Sequence, residues 1–126
     1  MTDSASRTIM IVDDELFFRQ LLRDMLEKEG FTVVAEAVDG VDAVGKYRIH
    51  HPDVTLMDIF MPEKHGIDAT RDIISIDPGA RVLVCSAIGF DDEVNAAYAA
   101  GARGLILKPF MPHEIAEAIT KALGQV

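Results

Sequence analysis

Five side chains stand out by type and by place. Asp13 and Asp14 directly follow an apolar run at residues 8–12, Asp58 follows one at 54–57, Ser86 one at 82–85 and Lys108 one at 104–107. Three carboxylates brought into one pocket repel one another and need a counter-charge. A hard divalent cation supplies it, and Mg²⁺ favours such oxygen ligands together with waters and phosphoryl oxygens. With that charge in place Asp58 can act as a carboxylate nucleophile toward phosphorus. Mg²⁺ and the Lys108 ammonium would neutralise the phosphoryl oxygens, and the Ser86 hydroxyl could donate to one of them. Each residue also has an ordinary structural use: Asp and Ser cap helices and close turns, and Lys is a common solvated charge. The chemical reading depends on whether the fold gathers all of them.

The elements that would do so are legible from periodicity. Residues 8–12, 32–35, 54–57, 82–85 and 104–107 are short runs rich in β-branched residues, which is a strand signature. Their near-continuous hydrophobicity suits a parallel sheet covered on both faces. Between them, Phe18, Leu21, Leu22, Met25 and Leu26 form one apolar helix face, with Gly30 where a C-terminal cap belongs. Ile115, Ala118, Ile119, Ala122 and Leu123 repeat that pattern, and weaker versions occupy residues 40–50, 66–76 and 91–100. Pro52 and Pro78-Gly79 mark breaks before the third and fourth strands.

Five β-α repeats imply right-handed crossovers and an α/β fold with a doubly wound five-stranded parallel sheet, flavodoxin-like, of order 2-1-3-4-5. Such sheets place their site beyond the carboxyl ends of the strands, where the strand order reverses. Strands 1, 3, 4 and 5 would then be neighbours, and these are the strands followed by Asp13, Asp14, Asp58, Ser86 and Lys108. The second strand, at the far edge, offers nothing comparable.

The 126 residues fit one domain, read as residues 8–126 behind a polar tail at residues 1–7. A net charge of −9 leaves no basic footprint for direct nucleic-acid binding. No segment has the length and apolarity of a membrane span or of a secretory signal, so a cytoplasmic location is expected. The single Cys85 excludes an internal disulfide and lies in an apolar run, as a buried core thiol would.

The segments IMIVDDE, VTLMDIFMPEKHG, VLVCSAIG and AGARGLILKPF resemble the four signature regions of response-regulator receiver domains, most of all those of stand-alone chemotaxis-type regulators. The likeness spans residues 8–123, and the motifs are specific as a set. It implies that Asp58 is the phosphoacceptor, that Asp14 contacts Mg²⁺ directly and Asp13 through a water, and that the backbone carbonyl of Phe60 completes the protein ligands. Ser86 matches the hydroxyl, and Lys108 the lysine, that bind the phosphoryl group. The Lys108-Pro109 bond is expected to be cis, which proline makes accessible. The resemblance further implies a histidine kinase or phosphotransfer protein as donor, and a downstream target protein read by helix 4, strand 5 and helix 5. Leu105, Pro109 and Phe110 belong to that switch surface.

Two positions depart from the family pattern. Leu105 stands three residues before the lysine, where an aromatic residue commonly reports phosphorylation, and packing of the edge strand is its simpler role. Phe60 stands two residues after the acceptor, where polar side chains are common, and its ring could exclude water from an acyl phosphate. His50, His51, His65 and His113 show no metal-ligand spacing and are expected at the surface. Phe110 and Met111 fit either core or a partner site.

Three other functions can be weighed against this one. A flavodoxin-like FMN carrier needs a phosphate cradle in the first loop, where Asp13 and Asp14 stand instead. A Mg²⁺-dependent aspartyl-nucleophile phosphatase or phosphotransferase usually has an acid/base Asp at the Phe60 position and a substrate cap, and the chain shows neither. A receiver that has lost its chemistry and only docks partners would not keep every required side chain. The sequence ends soon after the fifth helical pattern, which fits a stand-alone regulator or a domain of a longer one.

Overall fold

The computed structural model describes residues 7–61, 64–87 and 91–124. Five strands and five helices alternate: β1 (Thr8–Val12), α1 (Leu16–Lys28), β2 (Thr32–Ala37), α2 (Gly40–His50), β3 (Val54–Asp58), α3 (Gly66–Ile76), β4 (Val82–Ser86), α4 (Asp91–Ala99), β5 (Gly104–Leu107) and α5 (Pro112–Leu123). All strand pairs are parallel and the order is β2-β1-β3-β4-β5, as expected.

Strand alternation divides the core into two layers, because successive side chains point to opposite faces. Ile9, Ile11, Leu56, Leu83 and Cys85 face α1 and α5, where they meet Leu22, Leu26, Ile115 and Ile119. Met10, Val12, Met57 and Val84 face the other way, onto Ala43 and Tyr47 of α2, Ile67 and Ile73 of α3 and Ala97 of α4. Burying each large aliphatic side chain is worth roughly 1.5–3 kcal/mol.

Three strands run past the expected ends, through Ala37, Asp58 and Ser86. β2 is extended because Glu36, a poor strand former by type, is paired with Ile11 and bonded by arginines of α1. As an edge strand it alternates exposure instead of being apolar throughout. The apolar face of α1 is narrower than its sequence stripe, since Leu22 and Leu26 are buried while Leu21 is exposed. The helix closes as expected at Gly30, whose φ of 95° lets its own N–H reach Glu27 O and the Phe31 N–H reach Leu26 O. Of the tail read over residues 1–7, residues 1–6 lie outside the described residues. The Arg7 carbonyl accepts a hydrogen bond from Thr32 N–H at 2.9 Å, so pairing with the edge strand begins one residue early.

Candidate phosphoryl and metal site

The acidic pocket follows from strand parity. Asp58 ends β3 on the same side as Val54 and Leu56, and Lys108 follows Ile106 of β5 by two, so both side chains emerge on the α1 and α5 face. β1 stops at Val12, and Asp13 and Asp14 turn over its end into α1. Among the described residues, Asp13, Asp14 and Asp58 are the acidic group that could hold a metal ion, each presenting one carboxylate oxygen within 4.8 Å of the others. Asp13 is buried, Asp58 half-buried and Asp14 exposed.

Lys108 closes the pocket from β5. Its Nζ donates to Asp13 Oδ2 at 3.1 Å and lies 3.4 Å from Asp58 Oδ1. Burial alone would lower the lysine pKa, but Asp58 and Asp13 outweigh it and the ammonium is held above its ordinary range. Burial pushes the Asp58 carboxyl up to about 6; Lys108 opposes the rise, and the Asp13 and Asp14 charges add to it. Asp58 is therefore a carboxylate whose charge the protein alone does not fully compensate.

The capping role available to Asp13 is partly used, since its Oδ1 accepts the Glu15 N–H at 2.9 Å. Glu15, not either aspartate, is the N-cap of α1, and it makes no side-chain cap bond. Ser86 is the last residue of β4, 3% exposed, and its carbonyl accepts the Lys108 N–H at 2.7 Å. The end of β4 is thus tied through its backbone to the residue that follows β5. The Lys108-Pro109 peptide is cis.

Phe60 is 54% exposed, and its ring packs edge-on against His65 at 5.4 Å. His65 departs from the expected surface role. It is half-buried as the N-cap of α3, its Nδ1 accepts the Ile67 N–H at 3.2 Å, and its Nε2 lies 3.9 Å from Glu93 of α4. His50, His51 and His113 are exposed as expected. The Cys85 thiol is buried and pushed up to about 12 by that burial, so it is an unreactive core group.

Leu105 is half-buried against the α2–α4 layer and lines a cavity of about 240 Å³ with Tyr98, Arg103 and Lys121. Tyr98, which the sequence reading passed over, is half exposed on α4 beside it. Pro109 is exposed, while Phe110 packs into the α1–α5 layer, its ring centroid 5.9 Å from that of Phe18 in an edge-to-face arrangement. Met111 is exposed. Arg19 was also missed: its guanidinium donates to the Asp13 carbonyl at 2.8 Å and to Glu36 at 3.0 Å. Its position in the first turn of α1, directly after the aspartate loop, was the available signal. A larger cavity, about 520 Å³, lies beside Arg7, Gly30 and Leu123, at the opposite end of β1 from the carboxylates.

Comparison with known proteins agrees with this geometry. Residues 9–120 match the response regulator receiver domain. The chain is 50% identical over 116 residues to the chemotaxis protein CheY of Bacillus subtilis, covering 92% of this chain and 97% of that one. It is 46% identical over 115 residues to the CheY of Thermotoga maritima, covering 91% and 96%. Among solved structures, the CheX–CheY complex with BeF₃ and Mg²⁺ from Borrelia burgdorferi aligns with a TM-score of 0.90 at 31% identity, covering 94% of this chain and 90% of that one. The first-loop aspartates, the β3 aspartate and the lysine after β5 thus stand in a chain that belongs to the receiver domains of CheY-like response regulators, the phospho-accepting switches of two-component signalling.

Proposed function

We propose that Asp58 is the residue that accepts the phosphoryl group and that Asp13, Asp14, Ser86 and Lys108 serve it. The observation that carries this reading is the junction of three carboxylates and one half-buried ammonium at the ends of β1, β3 and β5. An Asp58 oxygen attacks the phosphorus of a phosphohistidine on a histidine kinase or phosphotransfer protein. The Asp58 O–P bond forms as the P–N bond breaks, and the imidazole nitrogen leaves with the electron pair and takes up a proton.

The donor set fits Mg²⁺, since it is all oxygen and carries more negative charge than Lys108 balances. When bound, Mg²⁺ would neutralise charge on the transferring phosphoryl oxygens. Asp14 and Asp58, with the Phe60 carbonyl, are the direct ligands in this reading. Asp13 acts through a water, in keeping with the engagement of both its oxygens by Glu15 and Lys108. Lys108 pairs with the phosphoryl group and Ser86 donates its hydroxyl to it. The Mg²⁺ in the Borrelia relative's structure supports this assignment.

Phosphorylation would shift a pre-existing balance between two conformations, and a downstream protein would read the change on α4, β5 and α5. In this reading Leu105 and Pro109 belong to that surface, and Phe110 backs it from its place in the α1–α5 layer. The chain would act in the cytoplasm and turn over no substrate beyond its own phosphoryl group; no helix among the described residues is long and apolar enough to cross a membrane. Incubation with acetyl phosphate and Mg²⁺, followed by intact-mass analysis, tests the central assignment. A phosphoryl adduct is expected on the wild type and not on Asp58→Asn; equal labelling, or none on either, overturns it.

A further inference from the structure

Phe18 lies on the apolar stripe of α1, and from its sequence position it is simply a core residue. Its ring, however, lies directly under the Lys108 ammonium, with Nζ 4.1 Å from the centroid. That is well inside the distance over which a cation is attracted to an aromatic face. The same ammonium meets Asp13 at 3.1 Å and Asp58 at 3.4 Å. The Lys108 side chain is 18% exposed, so the ring takes a place that water would otherwise hold. Phe110, two residues beyond Lys108, packs its ring edge-on to Phe18 and fixes the ring's tilt.

A lysine ammonium is a point charge on a flexible stem and does not position itself. Its contact with Asp58 changes during the reaction, because that carboxylate becomes an ester, and this leaves Asp13 as its one unchanged carboxylate contact. A second anchor that keeps its character as the acceptor changes must take no part in the bond that forms and must already touch the ammonium. Phe18 meets both conditions.

We propose that Phe18 is a positioning residue for phosphoryl transfer, holding the Lys108 ammonium over the pocket while its partner changes from carboxylate to phosphoryl oxygen. The proposal rests on the phosphoacceptor reading of Asp58. Its role belongs to the transfer step and not to metal binding, since the ring packs on the Lys108 ammonium and Phe110 and has no oxygen to offer a cation.

The test compares wild type, Phe18→Leu and Phe18→Tyr for phosphorylation by acetyl phosphate with Mg²⁺, with melting temperature and calorimetric Mg²⁺ affinity measured in parallel. Phe18→Leu keeps an apolar side chain without the aromatic face, and its rate at saturating acetyl phosphate should fall roughly 5-fold, about 1 kcal/mol in the barrier. The acetyl phosphate concentration for half-maximal rate and the Mg²⁺ affinity should stay within about 2-fold of wild type on the same argument. Phe18→Tyr restores the ring and should restore the rate. In ¹³C-resolved proton spectra the Lys108 ε-methylene protons should show an upfield ring-current shift in wild type and Phe18→Tyr, absent in Phe18→Leu. A folded Phe18→Leu protein with the wild-type saturating rate overturns the proposal, as does a Phe18→Tyr protein as slow as Phe18→Leu. A wild type that takes up no phosphoryl group overturns the phosphoacceptor reading and this proposal with it, whereas equal rates in all three proteins overturn only the role of Phe18.

Discussion

Phe60 is where this chain's chemistry should differ most from that of receivers with a polar residue two places after the acceptor. Its ring stacks edge-on upon His65, an arrangement that fixes an apolar surface in the acceptor loop and offers no donor or acceptor to orient a water molecule. Hydrolysis of an acyl phosphate needs such a water in line with the bond that breaks. Phe60→Asn would supply a polar group at that place and is expected to speed loss of the phosphoryl group from Asp58 by roughly 3- to 10-fold, the low end of what positioned polar groups contribute. Following decay of the phosphorylated mass after removal of the donor measures it, and equal decay rates would sink the idea. Phe60 was visible in the sequence as a departure from pattern. Its contact with His65 was not, because two residues five apart outside a helix or strand leave no periodic signal.

At the scale of elements, the loop between β3 and α3 decides where the acceptor sits. Gly66 opens α3, and its N–H donates to Ile59 O at 2.8 Å. A methyl group at Gly66 would run into the Asp58 carbonyl and the Ile59 Cα, both backbone atoms that cannot swing aside. Gly66→Ala should therefore cost roughly 1–3 kcal/mol, as overpacking does. It should also slow phosphorylation, since relief of the clash displaces Asp58 itself. Urea unfolding with an acetyl phosphate assay checks both, and a variant of wild-type stability and rate would show that the loop has slack. The strand order and the gathering of Asp13, Asp14, Asp58 and Lys108 could be read in advance because each rests on a short-range signal: apolar runs, their spacing, and the polar residue that ends each run. What escaped rests on long-range register. Arg19 and Arg23 of α1 both reach Glu36 of β2, at 3.0 and 2.8 Å, and no local pattern foretells which carboxylate two separate arginines will share. The same register carries β2 two residues further than its apolar run and ties Arg19 to the Asp13 carbonyl.

For the whole molecule, the pocket is a local concentration of an acidic excess that reaches −9 over the chain. The folded protein holds Asp58 at about 6 against 3.8 for the free side chain, mainly through burial. Between these two values the folded state binds a proton that the unfolded chain has released. Stability of the cation-free protein should thus be greatest, as far as this group is concerned, below about pH 4, and should fall as pH rises toward 6. Above that the full penalty applies, about 2 kcal/mol once screening by water at the pocket rim is allowed for. Asp58→Asn removes the ionisation and should melt several degrees higher than wild type at pH 7 without Mg²⁺, at about 4 °C per kcal/mol for a chain of this size. Mg²⁺ should reverse that order. It binds the ionised trio, so at roughly 100 times its dissociation constant it adds about 2.7 kcal/mol to the wild type at pH 7. At pH 5 a proton on Asp58 competes with the cation and the gain should shrink. Thermal melts of both proteins at pH 5 and 7, with Mg²⁺ or with EDTA, test the sign at each corner. A wild type that gains as much from Mg²⁺ at pH 5 as at pH 7 would mean that the charge on Asp58 is not what the cation relieves.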